Sequence, residues 1–513
     1  MGALLLIASF CLTLLLVRWL KSTPSRSLPL PPGPKRYPVI GSLLHVPVDL
    51  PWKTFHEWSK IYGDVVYVKI PHKKIVVLDS IEAVLDLFEK RSEIYSDRPQ
   101  TVMNELMLVD RWCFPLIGYS SLWRSYRREF HQFFNQHQVH KYQPTQLRGC
   151  QVFLQRVLDS PSQLNQHILL LMRSMILKIV YDMNVTDLED EFLRLANEGV
   201  EKITEAALPG RFWVEFAPIL RHLPSWVPGA SFKRYVEDLN PKMDELLDRP
   251  FYTVKRDYAA GTAGDSMAAT LIHKLQSNED VDKSQREYHT RNILGVAYAA
   301  GSDTSTAALQ SFFIAMSLYP DIQTKAQKEL DRIVGPGKLP TFEDYDRLVY
   351  IQAIILETLR WLPVSPLGLP HRVTRDDEYR GMLIPEGTTV IPNIWAILHN
   401  PEDYPEPYRF NPDRFIKNGS LNTSVRNPMN IALGFGRRIC PGRWFIHSSL
   451  FITIASTLHT MDIFPDLGSD GNEFDPFTSE NVYSGIKLTL GALPCTVTIR
   501  SDREPLIRDI AIS

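Results

Sequence analysis

The pattern of apolar and polar positions divides the chain into three unequal stretches. No charged residue occurs from Gly2 to Val17, and the run stays largely apolar to Leu20, close to the about 17 to 25 residues that a membrane-spanning helix needs. Residues 1–21 are therefore predicted to be a transmembrane anchor. Over 22–40, Pro24, Pro29, Pro31, Pro32, Pro34 and Pro38 forbid a helix and favour a stiff, extended connector. Residues 41–513 contain no linker or repeat and read as one large domain. Within it, "DVVYVKI" and "KIVVLDS" have the β-branched composition of strands, and "PHRVTRDDEYRGMLIPEGTTVIPNIWAI" reads as more strands separated by turns. Most of the rest has helical period. The longest such stretch runs from about Arg286 to Leu318 and is stopped by Pro320. The predicted fold is mainly α with a smaller β region assembled from distant parts of the chain.

Charge and composition narrow the partners. Lys and Arg total 56 against 58 Asp and Glu, so the chain lacks the basic excess that holds a phosphate backbone, and nucleic acid is not an expected partner. Hydrophobic residues at 44% and aromatics at 11% suffice for a sizeable core and a pocket for a lipophilic ligand. Cys11, Cys113, Cys150, Cys440 and Cys495 are odd in number and far apart, without zinc spacing, as in a chain that folds in a reducing compartment. A secretory signal peptide would want a basic start, whereas Arg18, Lys21, Arg26, Lys35 and Arg36 all follow the apolar run. By the positive-inside rule the body then faces the cytoplasm. The sequons at Asn184, Asn418 and Asn422 are accordingly expected to stay bare.

One cysteine has unusual neighbours. In "ALGFGRRICPGRWF", Gly434, Gly436 and Gly442 leave the backbone around Cys440 without bulk, and the apolar stretch after it has the composition of a buried helix. At that helix's start, unpaired N–H groups, the helix dipole and the charges of Arg437 and Arg438 would favour a thiolate. A nucleophile would also need a base, which the sequence alone does not place. A metal ligand needs none. A single cysteine cannot hold zinc or an iron–sulfur cluster, which leaves a metal whose other ligands come from a cofactor, haem being the usual case. The glycines would then let a flat macrocycle lie against backbone, and the arginines would pair with its propionates.

"GFGRRICPG" resembles the haem-binding loop of the cytochrome P450 superfamily, Phe-x-x-Gly-x-Arg-x-Cys-x-Gly, with Gly436, Arg438, Cys440 and Gly442 on the pattern. Leu433 departs from it where the family usually has phenylalanine, a change that bears on packing beside the sulfur and on redox tuning. Three further motifs follow the family's order. "ETLR" sets Glu357 and Arg360 at i and i+3, a spacing shared by Glu191 with Arg194, Glu329 with Arg332 and Glu406 with Arg409, so that position rather than spacing singles it out. The resemblance adds Arg414 of "FNPDRF" and implies a buried structural trio. "SLWRSYRREF" places Trp123 and Arg127 on one helix face; it implies that these two, with His371 and Arg372, meet haem propionates. In "VAYAAGSDTSTAAL", Gly301 costs a helix about 1 kcal/mol relative to alanine. Here Ala300, Gly301, Asp303 and Thr304 match the family's oxygen-binding segment, whose small residues make room for dioxygen while acid and alcohol organise proton delivery.

The resemblance, closest in style to fungal microsomal members of secondary metabolism, implies a monooxygenase. It would carry haem b on Cys440, insert one oxygen atom from dioxygen into a lipophilic small molecule in secondary metabolism or xenobiotic oxidation, and reside in the endoplasmic reticulum membrane. Its electrons would come from NADPH through a separate NADPH-cytochrome P450 reductase, docked on Arg124, Arg128, Arg437 and Arg443. Leu106, Phe114, Leu294, Val364 and Leu367 are expected near a greasy pocket. Two rivals stand beside this reading: a haem-thiolate isomerase or dehydratase that needs no external electrons, and a non-catalytic haem carrier or sensor.

Overall fold

In the computed structural model, strands β1 (Val65–Ile70) and β2 (Lys73–Leu78) form where the β-branched runs predicted them. They pair antiparallel, Val65 opposite Leu78, and their central residues are buried on both faces. Four short strands follow from the later segment: β3 (His371–Arg372), β4 (Asp377–Tyr379), β5 (Met382–Ile384) and β6 (Thr389–Pro392). The main sheet runs β1-β2-β6-β3, with β6 parallel to β2 and β3 antiparallel to β6. The end of that segment is a departure from the strand expectation. Ile394–Leu398 is helical because the Asn393 side chain accepts the Ala396 N–H and caps a turn.

The described residues are 28–510, apart from 48, 207, 209, 228, 278–281, 467–473, 478–482, 485–486 and 489–491. The expected anchor at 1–21, and the start of the connector, lie outside them. Among the described residues no helix is long and apolar enough to cross a membrane. The described part of the connector is fastened to the body: the Pro32 carbonyl accepts from Tyr67 N–H of β1, and that of Pro29 from Leu383 N–H of β5.

Helices make up most of the molecule, as the periodicity implied. The long helix spans Lys283–Leu318; Asp282 caps it by accepting from the N–H groups of Ser284 and Gln285, and Pro320 opens the next helix after the break at Tyr319. Its middle is buried and packs chiefly along the helix Leu164–Tyr181, itself apolar on almost every side. The helix Arg443–Thr460 runs through the core and is pinned by Gln146, whose amide donates to the Phe445 carbonyl (3.2 Å) and to the Ser448 and Ser449 hydroxyls (2.8 Å each).

Candidate active site

The loop carrying Cys440 is closed by its own N–H, which donates to the Leu433 carbonyl at 2.8 Å. Gly436 turns the chain at φ +54°, and a Cβ there would lie 2.1 Å from the Phe88 carbonyl oxygen. Only glycine tolerates both demands. Gly442 is the N-cap of the helix Arg443–Thr460, so Cys440 precedes the helix rather than starting it. Burial pushes the Cys440 thiol up, while the Gly442 N–H and the charges of Arg127 and Arg443 pull against it. The cations near the sulfur therefore differ from those the sequence proposed. Arg437 donates to the Tyr119 hydroxyl at 2.5 Å, and Arg438 reaches the carbonyls of Ser96 (2.7 Å) and Ile117 (2.8 Å).

Arg438 instead joins a second cluster. Its guanidinium lies 4.4 Å from the Trp123 ring centre. Trp123 is buried one turn from Arg127 on the helix Ser121–Phe134, and Arg127 donates to the Ile439 carbonyl at 2.6 Å. His371, on β3, stacks on Phe88 at 3.9 Å between ring centres and donates through Nδ1 to the Tyr95 carbonyl at 2.6 Å. Burial first, then the charges of Arg98 and Arg438, hold its pKa well below the usual range. Arg372 turns to Asp97, its Nε donating at 2.6 Å. Arg98, which the sequence did not single out, is buried beside this group and bonds the carbonyls of Pro115, Leu369 and Pro370. Burial lowers it to about 10, and burial together with the Arg98 charge lowers Arg438 to about 8.

On the long helix, residues 292–317 are buried or half-buried except Ala300 and Thr304, which are exposed one turn apart on the same face. The Thr304 hydroxyl donates to the Ala300 carbonyl at 2.7 Å. Gly301 faces another way: a Cβ there would meet Ile176 of the neighbouring helix at 3.2 Å. Asp303 reaches Arg173 of that helix at 3.5 Å.

Glu357, Arg360 and Arg414 come together in the core. Arg360 holds Glu357 bidentately at 2.7 and 2.8 Å, Arg414 Nε approaches it at 3.3 Å, and the Asn411 N–H donates to it at 2.8 Å. Pairs of equal spacing go elsewhere: Glu191 to Arg249, and Glu329 to the N–H groups of Tyr350 and Ile351.

The residues proposed for a pocket are scattered in setting. Phe114 stacks on Trp123, Leu294 is fully buried, and Leu367 packs against Trp52 and Trp395. On the outer side, Arg124 and Arg437 flank the Tyr119 ring, Arg128 is exposed, and Arg443 lines a cleft of about 420 Å³ with Arg127, His131, Pro441 and Trp444.

The family model for Cytochrome P450 matches residues 31–483. The chain belongs to the cytochrome P450 family. Curated relatives agree: it is 40% identical over 479 residues to cytochrome P450 monooxygenase COX2 of Coprinopsis cinerea, covering 93% of this chain and 90% of that one. Similarity to COX1 of the same fungus is 38% over 442 residues, 85% of each chain. Similarity to cytochrome P450 monooxygenase ple1 of Rhodocybe pseudopiperita is 34% over 496 residues, 96% of this chain and 94% of that one. It is thus an enzyme of the P450 monooxygenase class, whose cofactor is haem b with an axial cysteine thiolate.

The site suits that cofactor. Among the described residues the Trp123 indole N–H and Arg438 Nη1, both buried, have no hydrogen-bond partner, and orphaned buried donors beside crowded guanidinium groups call for anionic oxygen. Haem propionates are such acceptors.

Proposed function

We propose that Cys440 is the axial ligand of haem b and that this P450 inserts one atom of dioxygen into a lipophilic small molecule of fungal secondary metabolism, with electrons from NADPH through a separate reductase. The pair of orphaned buried donors, Trp123 Nε1 and Arg438 Nη1, is the observation that carries the reading. These two, with Arg127 and Arg98, would hold the propionate side of the haem; His371, whose Nδ1–H goes to the Tyr95 carbonyl, would join them through Nε2 when a propionate's charge protonates it. Arg372 braces the same place through Asp97. Burial outweighs the Gly442 N–H and the charges of Arg127 and Arg443 and leaves the Cys440 thiol raised, so the thiolate would be secured by the iron it binds, with these groups beside it. Haem so held supplies the activation of dioxygen. Ala300 and Thr304 lie on the open face of the long helix, where oxygen and substrate would meet, Gly301 lets that helix pack closely on Ile176, and Thr304 and Asp303 would hold and pass protons there. Glu357, Arg360 and Arg414 serve folding and haem retention rather than a chemical step.

Arg124, Arg128, Arg437 and Arg443 form the reductase docking face. Residues 1–21 anchor the protein in the endoplasmic reticulum membrane with the body in the cytoplasm. Exposed Val39, Leu44, Trp213, Ile219 and Trp226 favour contact with lipid. Leu43 and Phe216 pack on one cluster, so both segments lie on the same side of the body.

The test is turnover of a panel of lipophilic compounds in microsomes with reductase, NADPH and isotopically heavy dioxygen. Heavy oxygen in a product, dependent on NADPH, is expected. A product formed without NADPH or dioxygen would favour the isomerase or dehydratase.

A further inference from the structure

The helix Leu164–Tyr181 buries a run of Leu, Ile, Met and Val side chains, yet Arg173 sits in its middle at 8% exposure. A guanidinium there is costly unless it is paired. Its Nη2 donates to Asn197 Oδ1 at 2.9 Å and to Asp303 Oδ1 at 3.5 Å. The three residues come from three helices. Asn197, on Glu191–Ala206, is exposed to solvent; Arg173 is buried; and the Asp303 side chain is 21% exposed. Tyr298, one turn earlier on the long helix, feels both charges: burial raises its hydroxyl, with Arg173 opposing and Asp303 and Asp190 adding. The polar group thus runs from the surface at Asn197 to the residue next to Thr304.

We infer that Arg173 is a positioning residue for proton delivery: it holds the Asp303 carboxylate between solvent at Asn197 and the face that carries Thr304 and Ala300. This rests on the role proposed for Asp303. Apolar packing alone gives no reason for a charge at position 173, because Met172, Met175, Ile176 and Leu177 around it already fill the helix interface. An ion pair from this helix fixes the carboxylate on one face of its own helix, where a rotamer change would otherwise carry it away from the alcohol.

Arg173→Gln, Arg173→Lys, Asn197→Ala and Asp303→Asn are compared as full-length holoproteins in microsomes with reductase, using 7-ethoxycoumarin as probe. Positioned proton transfer is worth about 10²- to 10⁴-fold. Arg173→Gln should therefore lower product formed per NADPH by about tenfold, raise peroxide release and enlarge the solvent isotope effect on turnover. Arg173→Lys should restore most of this, and Asn197→Ala should fall between. Infrared difference spectra give a readout without turnover: the carboxylate band assigned by its loss in Asp303→Asn should shift in Arg173→Gln. A folded Arg173→Gln with unchanged coupling, isotope effect and carboxylate band overturns the inference. If that variant does not fold, unchanged coupling and isotope effect in Asn197→Ala overturn it. If Asp303→Asn itself changes neither coupling nor isotope effect, the role of Asp303 has failed instead.

Discussion

Replacing Glu357 by alanine is expected to be among the most damaging single changes in this protein. The carboxylate is fully buried and accepts from Arg360 Nε and Nη2, Arg414 Nε and the Asn411 N–H. Its loss leaves Arg360, which is also fully buried, without its counter-ion, and breaking such a pair costs about 3–5 kcal/mol. The orphaned Asn411 N–H adds about 1–3 kcal/mol. Arg360 keeps carbonyl partners at Leu398, Pro407 and Arg409, which trims the sum to about 5 kcal/mol. Whole proteins are stable by about 5–15 kcal/mol. Glu357→Ala should therefore accumulate poorly and lose haem. Arg414→Ala removes the 3.3 Å contact to Glu357 and the bonds to the carbonyls of Pro405 (2.8 Å), Glu406 and Arg409 (3.5 Å each), but it leaves the bidentate pair intact and no buried charge unpaired, so it should cost about 1–3 kcal/mol. Urea titrations followed by tryptophan fluorescence and by protease susceptibility would rank the two. The reasoning is refuted if the Glu357→Ala midpoint falls no further than that of Arg414→Ala.

Gly436→Ala needs a left-handed backbone and a Cβ 2.1 Å from the Phe88 carbonyl, so the cysteine loop should shift and haem content, read as pyridine haemochrome, should fall severalfold. Gly301→Ala gains about 1 kcal/mol of helix propensity but meets Ile176 at 3.2 Å; the expected stability change is near zero in the wild type and favourable in an Ile176→Val background, measured as unfolding midpoints. Asp331 is drawn up by burial, but its hydrogen bonds and ion pairs with Arg500 and Arg503 outweigh this and leave its pKa lowered. Its contribution is therefore present above the ordinary carboxylate pKa and is lost as pH falls through the lowered folded value. Asp331→Asn should destabilise at neutral pH, with the gap from wild type closing in acid, as thermal melts across pH would show.

The helical frame was readable because long apolar periods and Pro320 are local signals; the start of the long helix lay earlier than expected because the capping Asp282 precedes the apolar period. The trio was legible only through family position. Spacing could not separate Glu357 and Arg360 from Glu329 and Arg332, since the partners that distinguish them, Asn411 and Arg414, are distant in sequence. The cations at the sulfur were misassigned for the same reason: Arg437 and Arg438 are neighbours in sequence, but the turn at Gly436 sends them to Tyr119, Ser96 and Ile117. Arg98 and Arg173 carry no local signature, because Leu369 and Pro370, which hold Arg98, and Asp303, which pairs with Arg173, lie more than a hundred residues away.

The most direct measurement is the carbon monoxide difference spectrum of the dithionite-reduced microsomal protein beside Cys440→Ala. A strongly red-shifted Soret band in the wild type, absent in the variant, is the predicted result. The band of a neutral-ligand haem in the wild type, or an unchanged band in Cys440→Ala, would contradict thiolate ligation by Cys440.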